Sequence, residues 1–489
     1  MNQSDLENTL HHLNYRANVT ALAQWMGQKS PFAAYEIYEG FEEFLDLGTW
    51  ARFSEIEDDM ARTRLSHAFI DHYVQKILMP HETEMRTWMR GASAHVDGRK
   101  IYFHEIIPWC QKSSTYENRR VLQKETGPLC KFLKPFALNY WNILLEVLRK
   151  DFGFDGYVDY CKRKKGIDYH AYYGRMERLL KDTDDLYFAA MEQWSRKRFG
   201  RTLGELTRFD AINLLGLGEF DKYLPPHSLQ DLTRYFLQWG MDPENTPGLN
   251  LEIGSEAGKS AQAMSFILQV PEEVYVLMKP AGGCIDLETL WHELGHGFSA
   301  VYTSPDLSVV ERDMATSFNL SETFAFLLQG VALSEPFLIR HVGLKPGEAE
   351  ELAYYKVLKD FSVFRRYAAK FMAEYEMFSS GDLTSGERYA ELMTGFTGFT
   401  YQPESHLFDL VPEFYCMDYV LGWMGEAKME RHLRTLYGPD WMFEGDVGPL
   451  LKAWWARGNS MDIFEFMTGN GLGAFDAEAL VKRWEAVLG

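Results

Sequence analysis

The sequence predicts a mostly α-helical chain with one small β-sheet set beside a single helix. Two observations carry this. Apolar residues recur at three- and four-residue steps over 33–51, 62–79, 135–152, 172–199 and 348–378, the spacing that lines one face of a helix. Three short runs, 250–253, 264–270 and 274–278, are rich in Val, Ile, Leu and aromatic residues around Pro271-Glu272-Glu273 and read as strands. A chain of 489 residues has room for two or three domains or one large helical body. No internal repeat and no low-complexity linker divides it. A change of character over 199–219 suggests an N-terminal helical lobe, 1–200, followed by a second lobe, 201–489, with interleaving of the two allowed.

The helical stretches end where breakers stand: Gly153-Phe154, Gly343 to Gly347, and Ser379-Ser380-Gly381-Asp382. After the strand runs, Ala281-Gly282-Gly283 turns the chain, and Asp286 is placed to cap the helix that follows. A strand edge beside that helix would offer main-chain hydrogen bonds to an extended peptide.

Hydrophobic residues make up 46% and charged residues 25%, the balance of an ordinary folded chain. Aromatic residues, at 15%, read first as core. The formal charge of −20 argues against nucleic acid and anionic membranes as partners. The five cysteines are odd in number and form no C-x-x-C pair, which points to reduced, buried thiols. The sequence Met1-Asn2-Gln3-Ser4-Asp5-Leu6-Glu7 has neither a basic nor an apolar leader region, so a cytoplasmic location is expected. Between Met314 and Ser334 the only charge is Glu322. The stretch is membrane length, but its Ser, Thr, Asn and Gln content fits a buried core helix better. Its lone carboxylate then needs a partner.

That partner is offered by His292-Glu293-Leu294-Gly295-His296. Two histidines four apart share a helix face and can reach one ion, and Glu293 lies beside them. This is the H-E-x-x-H arrangement. Glu293 is the only charged residue between Glu288 and Asp306, and burying such groups without compensation is costly. Glu322 lies 26 residues after His296 and is isolated in the same way. One divalent cation held by His292, His296 and Glu322 solves both problems. Two His and one Glu leave a fourth zinc position open, as catalytic sites do. One Zn²⁺ per chain is therefore expected, with Glu293 as general base.

The motif and its distant glutamate resemble the thimet oligopeptidase, neurolysin and oligoendopeptidase F family. Further similarity runs along Phe361-Ser362-Val363-Phe364-Arg365-Arg366-Tyr367-Ala368-Ala369-Lys370, Phe414-Tyr415-Cys416-Met417-Asp418-Tyr419-Val420-Leu421-Gly422-Trp423 and Leu436-Tyr437-Gly438-Pro439-Asp440-Trp441. The resemblance implies a two-lobed, zincin-type helical metallopeptidase with a deep channel. It also implies hydrolysis of short unstructured oligopeptides, with a histidine and tyrosines as donors to the oxyanion. Here those candidates are His406, Tyr415 and Tyr419. Met417 stands where the family has a tyrosine, and Leu407-Phe408-Asp409-Leu410-Val411-Pro412 replaces its Gly-rich loop.

Two alternatives stay open. A metallocarboxypeptidase of similar build would need a cation for the substrate's terminal carboxylate, with Arg365 and Arg366 as candidates. A non-catalytic, zinc-containing peptide-binding protein is the other. Gly254-Ser255-Glu256-Ala257-Gly258-Lys259-Ser260 approaches a phosphate loop, but Ile253 stands where the pattern needs glycine. Lys162-Arg163-Lys164-Lys165 reads as a solvated charged face.

Overall fold

The computed structural model describes residues 2–254 and 263–489, so most of the phosphate-loop-like stretch, 255–260, lies outside the described residues. Helix α1, Gln3–Trp25, begins at a reciprocal cap: Asn2 Oδ1 accepts from Asp5 N–H, and Asp5 Oδ2 accepts from Asn2 N–H. The helix expected over 33–51 is not there. The segment folds as short turns, Ala34–Tyr38 and Leu47–Trp50. Gly40 sits between them at φ +85°, a backbone state that ends a helical run. The buried Tyr38, Phe44 and Leu45 had imitated a helical period.

Helix α2, Asp59–Gly91, and helix α3, Tyr116–Lys150, run longer than their apolar periods. Each continues through proline, α3 through both Pro128 and Pro135. Between them Ser93–Val96 (β1) and Arg99–Tyr102 (β2) form an antiparallel hairpin over Asp97-Gly98, both at positive φ. The stretch 172–199 is two helices, Tyr169–Asp182 and Asp184–Phe199, parted at Thr183.

The three expected strands form one sheet. Leu249–Ile253 (β3) pairs in parallel with Glu273–Met278 (β5), and Met264–Gln269 (β4) pairs antiparallel with β5. The order β3-β5-β4 leaves β4 on an edge. Then follow α4, Cys284–Val301; α5, Asn319–Ala332; α6, Pro346–Ser380; and α7, Tyr415–Tyr437. Helix α5 is the buried core helix expected around Glu322. No single described helix is long and apolar enough to cross a membrane; Asn319–Ala332 with Glu335–Val342 passes such a test only as a pair bent by 50°.

The chain divides into two compact units, and neither corresponds to a half of the sequence. The first comprises Met1–Lys76, Glu219–Ala353 and Leu421–Arg483; the second Ile77–Gly218, Tyr354–Val420 and Trp484–Gly489. In the first, the sheet and α4 pack with Phe236, Trp291, Phe298, Phe324 and Trp455, all nearly or fully buried. In the second, Tyr157, Tyr169, Phe371 and Phe414 make one aromatic core, and Phe361 stacks on Trp484 with ring centroids 3.9 Å apart.

Candidate metal centre

Helix α4 is fixed at its start by two carboxylates. Asp286 lies inside the first turn, where Oδ2 accepts from Ala281 N–H at 2.6 Å and Gly282 N–H at 2.7 Å. The N–H of Cys284 donates to Asp221 Oδ1 at 3.0 Å. Asp286 therefore braces the turn, and Asp221 supplies the capping bond expected of it. Gly283 is required between them: at φ +101°, a Cβ there would fall 2.1 Å from Asp221 Oδ1. Beyond this start, Leu287, Leu290, Trp291, Leu294 and Phe298 are fully buried.

Helix α5 crosses α4 closely at Gly295, where a Cβ would fall 2.5 Å from Ala325 Cα. The close approach brings Glu322 to the histidines. Glu322 Oε2 lies 3.3 Å from His292 Nε2, and Oε1 lies 3.7 Å from His296 Nε2. The two Nε2 atoms are 3.2 Å apart. Zinc bonds to nitrogen and oxygen of about 2.0–2.2 Å put tetrahedral corners roughly 3.3–3.5 Å apart; the two Nε2 atoms lie near that spacing, the Glu322 carboxylate faces both with one oxygen toward each, and one ligand atom from each of the three residues lies within 4.8 Å of the others.

The outer nitrogens are held. His292 Nδ1 lies 3.0 Å from Gln329 Oε1 and His296 Nδ1 lies 2.8 Å from Ser321 Oγ. With Nδ1–H donating outward, each ring turns the Nε2 lone pair to the centre, the arrangement that metal-binding histidines use. Gln329 and Ser321 are functional partners that the motif alone does not mark, although Ser321 adjoins Glu322. Phe326 stands edge-on to the His292 ring at 5.0 Å and stacks on Trp423 at 4.2 Å. Gly422 leaves room for this: a Cβ there would meet Glu322 Cβ at 2.9 Å.

Burial pushes both imidazoles toward the neutral form. At His296 burial prevails and its pKa falls. At His292 burial is outweighed by the hydrogen bond and charge of Glu322, and its pKa rises. Among the described residues this is the only cluster of three His, Cys, Asp or Glu side chains placed to hold an ion. Its donor set, two imidazoles and a carboxylate, fits a divalent cation.

Glu293 is 8% exposed, and its Oε2 accepts from the main-chain N–H of Ser265 on β4 at 2.7 Å. Two residues on, Ile267 C=O accepts from Asn18 Nδ2 of α1 at 3.0 Å. The β4 edge expected to offer its main chain to a peptide thus has two of its outward groups already engaged.

The remaining expected residues lie in the second unit, as does α7 over 415–420. Tyr415 and Tyr419 share one face of α7, rings 5.0 Å apart, and Tyr367 stands 4.8 Å from Tyr419. His406 is 1% exposed, with Nδ1 2.7 Å from Pro403 C=O and Nε2 3.0 Å from Leu383 C=O. Both ring nitrogens lie against backbone carbonyls. Met417 is fully buried. Arg365 is also fully buried, spent on Phe396 C=O, Leu180 C=O, Thr183 and Asp184, and is therefore no carboxylate clamp. Arg366 pairs with Asp409.

No protein-family model matches the chain, and no curated protein matches it. Solved structures do. Trypanosoma cruzi metallocarboxypeptidase 1 is similar with a TM-score of 0.62 at 14% identity, over 99% of each chain. Pyrococcus furiosus carboxypeptidase gives 0.60 at 12%, again over 99% of each. A putative oligoendopeptidase F from Bacillus anthracis gives 0.57 at 14%, over 92% of this chain and 80% of that one. The chain has the fold of these helical peptidases.

Proposed function

We propose that the protein is a zinc metallopeptidase acting on short, unstructured oligopeptides. The observation that carries this is the convergence of His292, His296 and Glu322, whose ligand atoms lie within 4.8 Å of one another, with Glu293 on the same helix as the histidines. When bound there, zinc would supply Lewis-acid polarisation of a peptide carbonyl and bring the pKa of a water toward about 7. The chain's own part is to place a base. Glu293 takes a proton from the attacking water and returns it to the leaving amine. Tyr415 and Tyr419 are the side chains that the family resemblance supplies as donors to the oxyanion. The names of structurally similar peptidases support the same reading.

The test is Glu293→Gln. The variant is expected to keep one zinc per chain while cleavage of internally quenched peptides falls about 10²–10⁴-fold. Zinc-loaded wild-type protein that cleaves nothing in a broad peptide library would leave a peptide-binding protein in place of a peptidase.

A second reading, a carboxypeptidase, is favoured by one observation: the two carboxypeptidases match end to end, 99% of each chain, whereas only 80% of the oligoendopeptidase is covered. Amidating the peptide's C-terminus separates the two. Cleavage that survives amidation is endopeptidase cleavage; cleavage that is lost belongs to a carboxypeptidase.

A further inference from the structure

We propose that the edge strand β4 aims the catalytic base, with the main-chain N–H of Ser265 as the positioning group. This rests on the assignment of Glu293 as base. In an antiparallel pair, alternate residues turn their N–H and C=O groups toward or away from the partner. On β4, Ser265 N–H goes to Glu293 Oε2 at 2.7 Å, and Ile267 C=O takes Asn18 Nδ2 at 3.0 Å. Residues 265 and 267 therefore face away from β5, one toward α4 and the other toward α1. Among the described residues, the Ser265 amide is the hydrogen-bond donor to Glu293. It holds one carboxylate oxygen and so fixes the direction of the other.

The strand is itself held in place. Helix α1 buttresses it through Asn18 and through Trp25, whose ring meets Phe266 edge-on at 5.9 Å. Leu22, Leu268 and Leu277 close a small apolar core beneath. A carboxylate on a long side chain has free torsions, and a misplacement of about 1 Å costs on the order of 100-fold in rate. An amide anchored in a sheet removes that freedom without adding a second titrating group.

The hydrogen bond is testable without metal or substrate. Amide hydrogen exchange in the metal-free protein should show the Ser265 N–H protected. In Glu293→Ala its exchange should accelerate by about tenfold or more, with Phe266 unchanged. Equal exchange in both proteins would overturn the proposal. The function of the bond is read from Ser265→Pro, which removes that N–H and no ladder bond, a change an edge strand tolerates. The expected result is bound zinc at the wild-type level and kcat down about 100-fold with KM within about twofold. An unchanged kcat would overturn the positioning role. If wild-type protein itself cleaves no peptide, the base assignment fails, while the exchange experiment still decides whether the bond exists.

Discussion

Gly295→Ala tests whether the helix crossing sets the metal centre. The added methyl would fall 2.5 Å from Ala325 Cα, with Phe324 O at 3.1 Å and Ala325 N at 3.2 Å. These are backbone atoms of α5 and cannot rotate aside. Ordinary contact begins near 3.4 Å, so the two helices must part by about 1 Å. Overpacking of this kind costs about 1–3 kcal/mol, and the better helix propensity of alanine returns about 1 kcal/mol. Net stability therefore falls by only about 0–2 kcal/mol. The ligands are more sensitive, because His292 and His296 ride on α4 and Glu322 on α5, and a metal site tolerates distances within about 0.2 Å. Zinc affinity should fall by at least about 10-fold, and toward 100-fold. Competition against a chromophoric chelator measures this, with thermal melting of the metal-free protein beside it. Gly297→Ala is the internal comparison. Its methyl would meet only side-chain ends, Val276 Cγ2 at 2.9 Å and Leu249 Cδ1 at 3.0 Å, so its effect on zinc should be smaller. Wild-type zinc affinity in Gly295→Ala would refute the claim that the crossing spaces the ligands.

Two further predictions concern charge. Burial depresses the pKa of His72 to about 4, below the ordinary 6.5. The unfolded chain therefore binds the proton first, and stability contributed by neutral His72 is present above pH 6.5 and lost as pH falls toward 4. The loss reaches about 3 kcal/mol, and melting of His72→Gln should depend less on pH in that window. The unit with the metal cluster carries 41 acidic against 20 Lys and Arg residues, while the other carries 29 against 30. Such a field speeds the approach of cations at low salt. Cleavage of a Lys-rich peptide should therefore slow on adding salt more than that of a Glu-rich peptide of equal length, and equal slopes would remove the electrostatic argument.

What the sequence disclosed follows from where each signal resides. The three strands were legible because branched and aromatic residues cluster between turn residues. The metal trio was legible because helix period places His292 and His296 together and because a lone Glu322 in an apolar stretch demands a counter-charge. The hairpin of β1 and β2 went unread although Asp97-Gly98 between Val96 and Arg99 is a turn signal. The Ser265 amide could not be read at all, since every residue but proline has one. Asp221 caps α4 from 63 residues upstream, a separation no local pattern spans. His406 was assigned through resemblance alone, and its two carbonyl partners are set by the loops around it. The lobes read from sequence as 1–200 and 201–489 with interleaving allowed, and packing joins distant segments within each compact unit.

That joining has a consequence for biogenesis. Strand β4 receives the Asn18 side chain across 249 residues, and the metal-bearing unit draws its last segment from Leu421–Arg483. Chains grow at about 5–20 residues per second, and domains tend to fold as they emerge. Here α1 leaves the ribosome long before the strand it buttresses. The unit holding His292, His296 and Glu322 cannot be completed until its third segment has also been translated. During those tens of seconds the nascent N-terminal helix has an apolar face and no sheet to cover it. A nascent-chain arrest series should therefore find the metal centre unable to form in any chain that stops short of that segment.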